Sequence, residues 1–154
     1  MKAEEVNRLF REANVTLGSV ESFTGGSFAS LITSIPGASK FYKGGFVTYA
    51  TEEKIKLLSI PEDTIRQYGV VSKEVAYYMA NNGRHLLNVD YCVSFTGNAG
   101  PDAMEGKPVG EVHMCIASSS KAEVYSLSLK GNRKEIQDQA IDFILEKLIN
   151  LQKK

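Results

Sequence analysis

Cysteine is scarce in this chain: only Cys92 and Cys115 occur among 154 residues, each inside an apolar, strand-like run. Their separation excludes the short spacings of zinc and redox motifs, so both are expected to be buried free thiols in a reducing cytoplasm. No charge of either sign predominates, since 18 Lys and Arg balance 18 Asp and Glu. A polyanionic partner such as nucleic acid is therefore not expected. No apolar run approaches the length needed to cross a membrane, and the charged first 14 residues lack the basic end and apolar core of a signal peptide. Neither His85 nor His113 has a partner at ligand spacing, and no clustered His, Cys, Asp or Glu pattern suggests a metal. What remains, 43% hydrophobic and without repeat or linker, is enough for one domain over 1–154 with a core that needs no staples.

Hydrophobic spacing organises that domain. Val6, Leu9, Phe10 and Ala13 recur as on one face of a helix, and residues 15–20 form a compact run with β-branched residues, suited to a buried strand. Phe28, Leu31, Ile32 and Ile35 mark a second helix, which Pro36-Gly37 ends. Residues 46–49 read as a short strand after Gly44-Gly45, with Thr51 placed to cap a helix through Leu58. Residues 61–69 read as a polar turn. Ser72 is the expected cap of a helix carrying Val75, Ala76, Met79, Leu86 and Leu87, which stops near Asn88. Residues 91–95 form the next strand, and residues 96–101 read as a loop unable to be helix or central strand. Residues 109–117 and 122–129 predict an antiparallel hairpin, and Asn132 with Glu135 a capping box that opens the last helix. Helices alternating with strands, followed by a hairpin, predict an α/β fold: a mixed sheet covered by helices on both faces, its sites formed by loops at the strand ends.

Three of those loops have the residues for chemistry. Ser22 stands at a strand-to-helix junction before Gly25-Gly26, where a sharp turn exposes a hydroxyl and leaves the amides of Thr24, Gly25 and Gly26 to face an oxyanion or phosphate. The same stretch also fits a tight turn whose Ser and Thr merely cap the helix, and it lacks the G-x-S-x-G elbow and the full phosphate-loop pattern. Lys54 falls in the first turn of its helix, where the macrodipole disfavours a cation; with partial burial the neutral amine becomes a usable general base for a serine. A solvent-facing lysine beside Glu52 and Glu53 is the alternative. Tyr49, at the preceding strand end, is placed to orient that base or relay a proton, or to be an ordinary amphipathic tyrosine. Residues 96–100 offer the Thr96 hydroxyl and loop amides at Gly97 and Gly100 for an oxyanion or phosphate. Lys107 and Arg133 supply cations, Arg133 as an anion clamp at the last helix start.

Taken together, the blocks ESFTGG, GGFVTYATEEK, YGVVS, SFTGNAGP and KPVGEV, with the tail GNRKEIQDQA, resemble the CinA C-terminal domain family from Glu21 to Ala140. That family includes nicotinamide-nucleotide amidohydrolases, which convert nicotinamide mononucleotide and water to nicotinate mononucleotide and ammonia. The resemblance implies a three-layer α/β/α sandwich with a mixed, mostly parallel sheet, usually a homodimer, that needs no metal or organic cofactor. It implies Ser22 as nucleophile, with Tyr49 and Lys54 as its catalytic partners. The glycine-rich loops after Ser22 and Thr96 would hold the amide oxyanion and the nucleotide phosphate. Asn98 stands where the family loop usually has isoleucine, Phe23 where cysteine is common, and Gln137 where a second arginine commonly follows the first. Larger members carry a separate N-terminal domain that is not in this sequence, and some single-domain relatives do not match the enzyme's activity. The rival expectations are a non-catalytic nucleotide-binding or regulatory module and an amidase for another phosphorylated amide.

Overall fold

The computed structural model describes residues 1–153. Its elements are α1 (Lys2–Ala13), β1 (Leu17–Glu21), α2 (Ser27–Thr33), a 3-10 turn (Ala38–Lys40), β2 (Tyr42–Val47), α3 (Thr51–Leu58), α4 (Glu62–Tyr68), α5 (Lys73–Leu87), β3 (Tyr91–Gly97), β4 (Glu111–Ala117), β5 (Ala122–Ser128) and α6 (Arg133–Gln152). The strands form one open sheet in the order β2-β1-β3-β4-β5. β1 pairs in parallel with β2 and β3, whereas β4 runs antiparallel to both β3 and β5. The sheet is mixed as expected: β1, β2, β3 and β5 run the same way, and only β4, the first strand of the hairpin, is reversed.

Period-two alternation sends side chains to two helical layers. Leu17, Val93, Phe95, Val112, Met114 and Ile116 face one core with Val6 and Phe10 of α1, Phe28 and Ile32 of α2, and the apolar stripe of α6. On the other face Val20 and Cys92 meet Leu58 of α3 and Val75 and Met79 of α5, while Cys115 and Ala117 meet Ala76 and Ala80. Burying a side chain such as Phe28 or Phe95, whose rings lie 5.2 Å apart, stabilises the fold by roughly 1.5–3 kcal/mol each. Both cysteines are buried and free. Burial raises both thiols, that of Cys115 to about 12, so neither ionises near neutrality.

The caps explain the helix boundaries. Asn14 and Asn88 end α1 and α5 in the left-handed conformation that asparagine tolerates. The Ser72 hydroxyl accepts from the Val75 amide, and Asn132 and Glu135 form the expected capping box. Four boundaries differ from expectation. Gly44 and Gly45 lie inside β2, where the chain packs so closely that a Cβ on Gly45 would sit 2.6 Å from the Ser19 carbonyl. Ala50, without a side-chain bond, is the N-cap of α3, which places Thr51 at its first position. Residues 62–68 form α4, started by Pro61 and favoured by Glu62 and Asp63 in its first turn; it buries no residue fully, so no apolar stripe announces it. Thr96 and Gly97 belong to β3, in the middle of the sheet, because β4 pairs with them to the strand end.

Register then decides where loops meet. Glu21 is level with both Val47 and Phe95, so residues 22–26, 48–50 and 98–101 leave the sheet at one edge. Val112 is level with Gly97 and Glu111 with Ser128, which brings the start of β4 and the end of β5 to the same edge. α6 begins there, with Arg133 in its first turn.

Candidate active site

β1 delivers Ser22 to that edge with its amide still on the ladder, donating to the Phe95 carbonyl at 3.1 Å. The chain then turns: the Gly25 amide donates to the Ser22 carbonyl, and Gly26 takes a φ of 100°, which a side chain would strain. Glu21, buried, accepts from the Phe28 and Ala29 amides at 2.9 and 3.0 Å. The first amides of α2 are thus occupied by the protein's own carboxylate.

Lys54 is the decisive side chain. It is 1% exposed, and its Nζ lies 2.9 Å from Ser22 Oγ and 2.7 Å from the Thr48 carbonyl oxygen. No carboxylate lies within ion-pair distance of it among the described residues. Burial therefore pushes its pKa down to about 8, against a weaker opposing pull from Glu105. A solvent-facing lysine paired with Glu52 and Glu53 is ruled out by this burial. At pH 7 about one-tenth of the amine is neutral, and above pH 8 most of it is. A neutral amine has one lone pair: held by the Thr48 carbonyl through an N–H, it can accept the Ser22 proton.

Ser22, only 9% exposed, forms part of the wall of a cavity of about 300 Å³ together with Phe23, Tyr49, Asp102, Met104 and Arg133. Gly97 and Gly100 also line it. Arg133 Nη1 donates to the Gly100 carbonyl at 2.6 Å and Nη2 to the Tyr49 hydroxyl at 2.7 Å. Tyr49 is 62% exposed and bonds neither Lys54 nor Ser22, so the group that orients the amine is the Thr48 carbonyl.

Other expected residues have scaffold positions. Thr96 spends its hydroxyl on the Val70 carbonyl at 2.7 Å and does not line the cavity. Thr24, Gly25 and Gly26 do not line it either, and the Gly25 amide is spent within the turn. Lys107 reaches the Tyr68 carbonyl and Glu111 instead of the cavity. Asn98 holds its loop, accepting from the Gly100 amide and donating to the Lys107 carbonyl. Glu105 clamps residues 101–107 by accepting from the Val70 and Val71 amides. The sequence carries no signal for the Thr48 carbonyl or the Glu105 clamp, because both bonds are to backbone atoms, which every residue carries alike.

A sequence profile of the CinA C-terminal domain matches residues 1–152. The chain belongs to the CinA C-terminal domain family. It is 42% identical over 146 residues to a protein of Geobacillus sp. (strain WCH70) described as competence-damage inducible, covering 92% of this chain and 35% of that one. A CinA-like protein of Endomicrobium trichonymphae is 40% identical over 152 residues, covering 96% and 36%. The chain thus spans about a third of the length of these curated relatives. A crystal structure of a CinA superfamily protein from Klebsiella pneumoniae superposes with a TM-score of 0.95 at 25% identity, covering 98% of this chain and 95% of that one. The crystal structure of the competence/damage inducible protein CihA from Agrobacterium tumefaciens gives 0.91 at 30% identity, covering 98% and 96%. Family membership carries the α/β sandwich with it. No helix among the described residues is long and apolar enough to cross a membrane.

Proposed function

We propose that this CinA-family chain is an amidohydrolase that converts nicotinamide mononucleotide and water to nicotinate mononucleotide and ammonia. The observation that carries this reading is the 2.9 Å contact between Ser22 Oγ and a buried, cation-disfavouring Lys54 at the wall of a ligand-sized cavity. Serine with lysine as base is an established form of activated nucleophile.

Ser22 Oγ attacks the carboxamide carbon while its proton passes to neutral Lys54. The tetrahedral intermediate collapses, Lys54 returns the proton to the leaving nitrogen, and ammonia departs. Water, deprotonated by the same amine, then cleaves the acyl-enzyme to release the carboxylate. Arg133 keeps unused N–H groups beside its bonds to Gly100 and Tyr49, and these can receive the nucleotide phosphate at the cavity rim. Tyr49 acts here by fixing that guanidinium rather than by moving a proton. No metal or organic cofactor takes part in these steps, and the reading places the protein in the cytoplasm, working as a homodimer.

Ammonia release from nicotinamide mononucleotide tests the reading directly. Turnover by the wild type that disappears in Ser22→Ala and Lys54→Ala supports it. Tight nucleotide binding by calorimetry without turnover would instead favour a regulatory module, and turnover of a different phosphorylated amide in a substrate panel would move the substrate assignment.

A further inference from the structure

Gln137 lies one helical turn beyond Arg133 on α6, half-buried, and does not line the cavity. Its Nε2 donates to the Phe23 carbonyl at 2.8 Å, across 114 residues of sequence. This is the first peptide group beyond the Ser22–Phe23 bond. The only cis peptide among the described residues is Gly100–Pro101, so the peptides on either side of Phe23 are trans and each N–H points opposite to its C=O. Two acceptor bonds therefore set two successive amides. The Gly25 amide holds the Ser22 carbonyl and so aims the Phe23 N–H; Gln137 holds the Phe23 carbonyl and so aims the Thr24 N–H. Neither N–H makes a hydrogen bond among the described residues. Successive unpaired amides form the kind of concave nest that binds a developing negative charge.

We infer that Gln137 is a positioning residue: by holding the Phe23 carbonyl it fixes the turn after the nucleophile so that the unpaired Phe23 amide, at the cavity wall, faces the oxyanion formed when Ser22 attacks. This rests on the Ser22 nucleophile of the proposed function and adds how its oxyanion is stabilised. It also accounts for a side chain that touches the Ser22 loop without reaching the cavity. The two side chains have separate duties on one helix, Arg133 bracing Tyr49 and the Gly100 loop and Gln137 bracing the turn after the nucleophile.

The test uses p-nitrophenyl acetate, a small neutral ester that needs no nucleotide recognition. Ser22 Oγ bonds to the acetyl carbon, the aryl ester C–O bond breaks, p-nitrophenolate leaves with the electron pair, and the serine proton goes to Lys54. Acetylation is followed on the Ser22 peptide by mass spectrometry. Gln137→Met keeps the length without the donor and should acetylate about 10–100-fold more slowly, at or below the usual cost of losing one oxyanion donor. Its saturation constant, its thermal unfolding and the pH midpoint of acetylation should match the wild type. Gln137→Arg, which restores a donor, should recover most of the rate; Gln137→Glu replaces Gln137→Met should the latter not fold. Equal rates in wild type and Gln137→Met would overturn the inference, as would a Gln137→Arg rate as low as that of Gln137→Met. Absence of Ser22 acetylation in the wild type is a separate outcome: it removes the nucleophile itself, and the role of Gln137 with it.

Discussion

The two ends of the cavity are built in opposite ways. At the inner end, Ser22 and Lys54 are nearly or wholly removed from solvent and held by backbone atoms of β3, of Thr48 just past β2 and of the Ser22 turn. At the outer end, Tyr49 and Arg133 are exposed side chains that brace one another, beside the exposed residues 101–106. The difference follows from the physics each end requires. Lowering the pKa of a lysine demands desolvation without a neighbouring carboxylate, which only a rigid interior supplies. Receiving a charged ligand from water demands a cation that has not been neutralised and stays accessible. Substitutions at the two ends should consequently fail in different ways, the inner end in kcat and the outer end in KM.

The largest effect is expected inside. Ser22→Ala and Lys54→Ala should each reduce kcat for ammonia release by about 10³-fold or more, as loss of members of a nucleophile–base unit does. A comparable kcat loss in Arg133→Ala would erase the distinction between the ends. Arg133→Ala is instead expected to raise KM by roughly 10–100-fold with kcat changed much less, the pattern of lost charge-assisted binding. The pH dependence sharpens the inner end further. Because Lys54 must be neutral to accept a proton, kcat should rise with pH through a midpoint near 8 and level off about one unit above it, and this midpoint should persist in Arg133→Ala.

Stability carries the same signature. The folded pKa of Lys54 lies below its unfolded value of 10.5, so between about 8 and 10.5 the unfolded chain binds more protons and stability rises with pH. Relative to Lys54→Met, the wild type should gain on the order of 1–3 kcal/mol across that window, measured by denaturant unfolding at each pH. A wild-type curve parallel to that of Lys54→Met would show that the amine is not desolvated. The smallest effect belongs to Tyr49→Phe, which removes one exposed hydrogen bond to Arg133 and should raise KM by only a few-fold, since exposed contacts of this kind contribute about 1 kcal/mol or less.

Local rules made much of the scaffold legible. The α1, α2 and α5 stripes, the Ser72 cap, the Asn132–Glu135 box and the hairpin all act over a few residues, and each was readable in the chain. α4 was not, because a polar surface helix has no apolar period, and the end of β3 was not, because Thr96 and Gly97 look like loop until β4 pairs with them. Gly44-Gly45 read as the boundary of a strand, yet they let β2 pass close against Ser19.

For the site, sequence by itself determined the residue types and their order: a serine before a glycine turn, a lysine in a first helical turn, an arginine opening the last helix. It could not determine which of these meet. Lys54 turning inward beneath Ser22 depends on β1 and β2 ending level in a parallel pair, which leaves the Thr48 carbonyl beside the serine. Thr96 and Lys107, equally suited by type, were drawn to the Val70 and Tyr68 carbonyls instead. Only tertiary structure decided among them, because the groups that hold these side chains are backbone carbonyls, which every residue carries alike and which only the fold brings within reach.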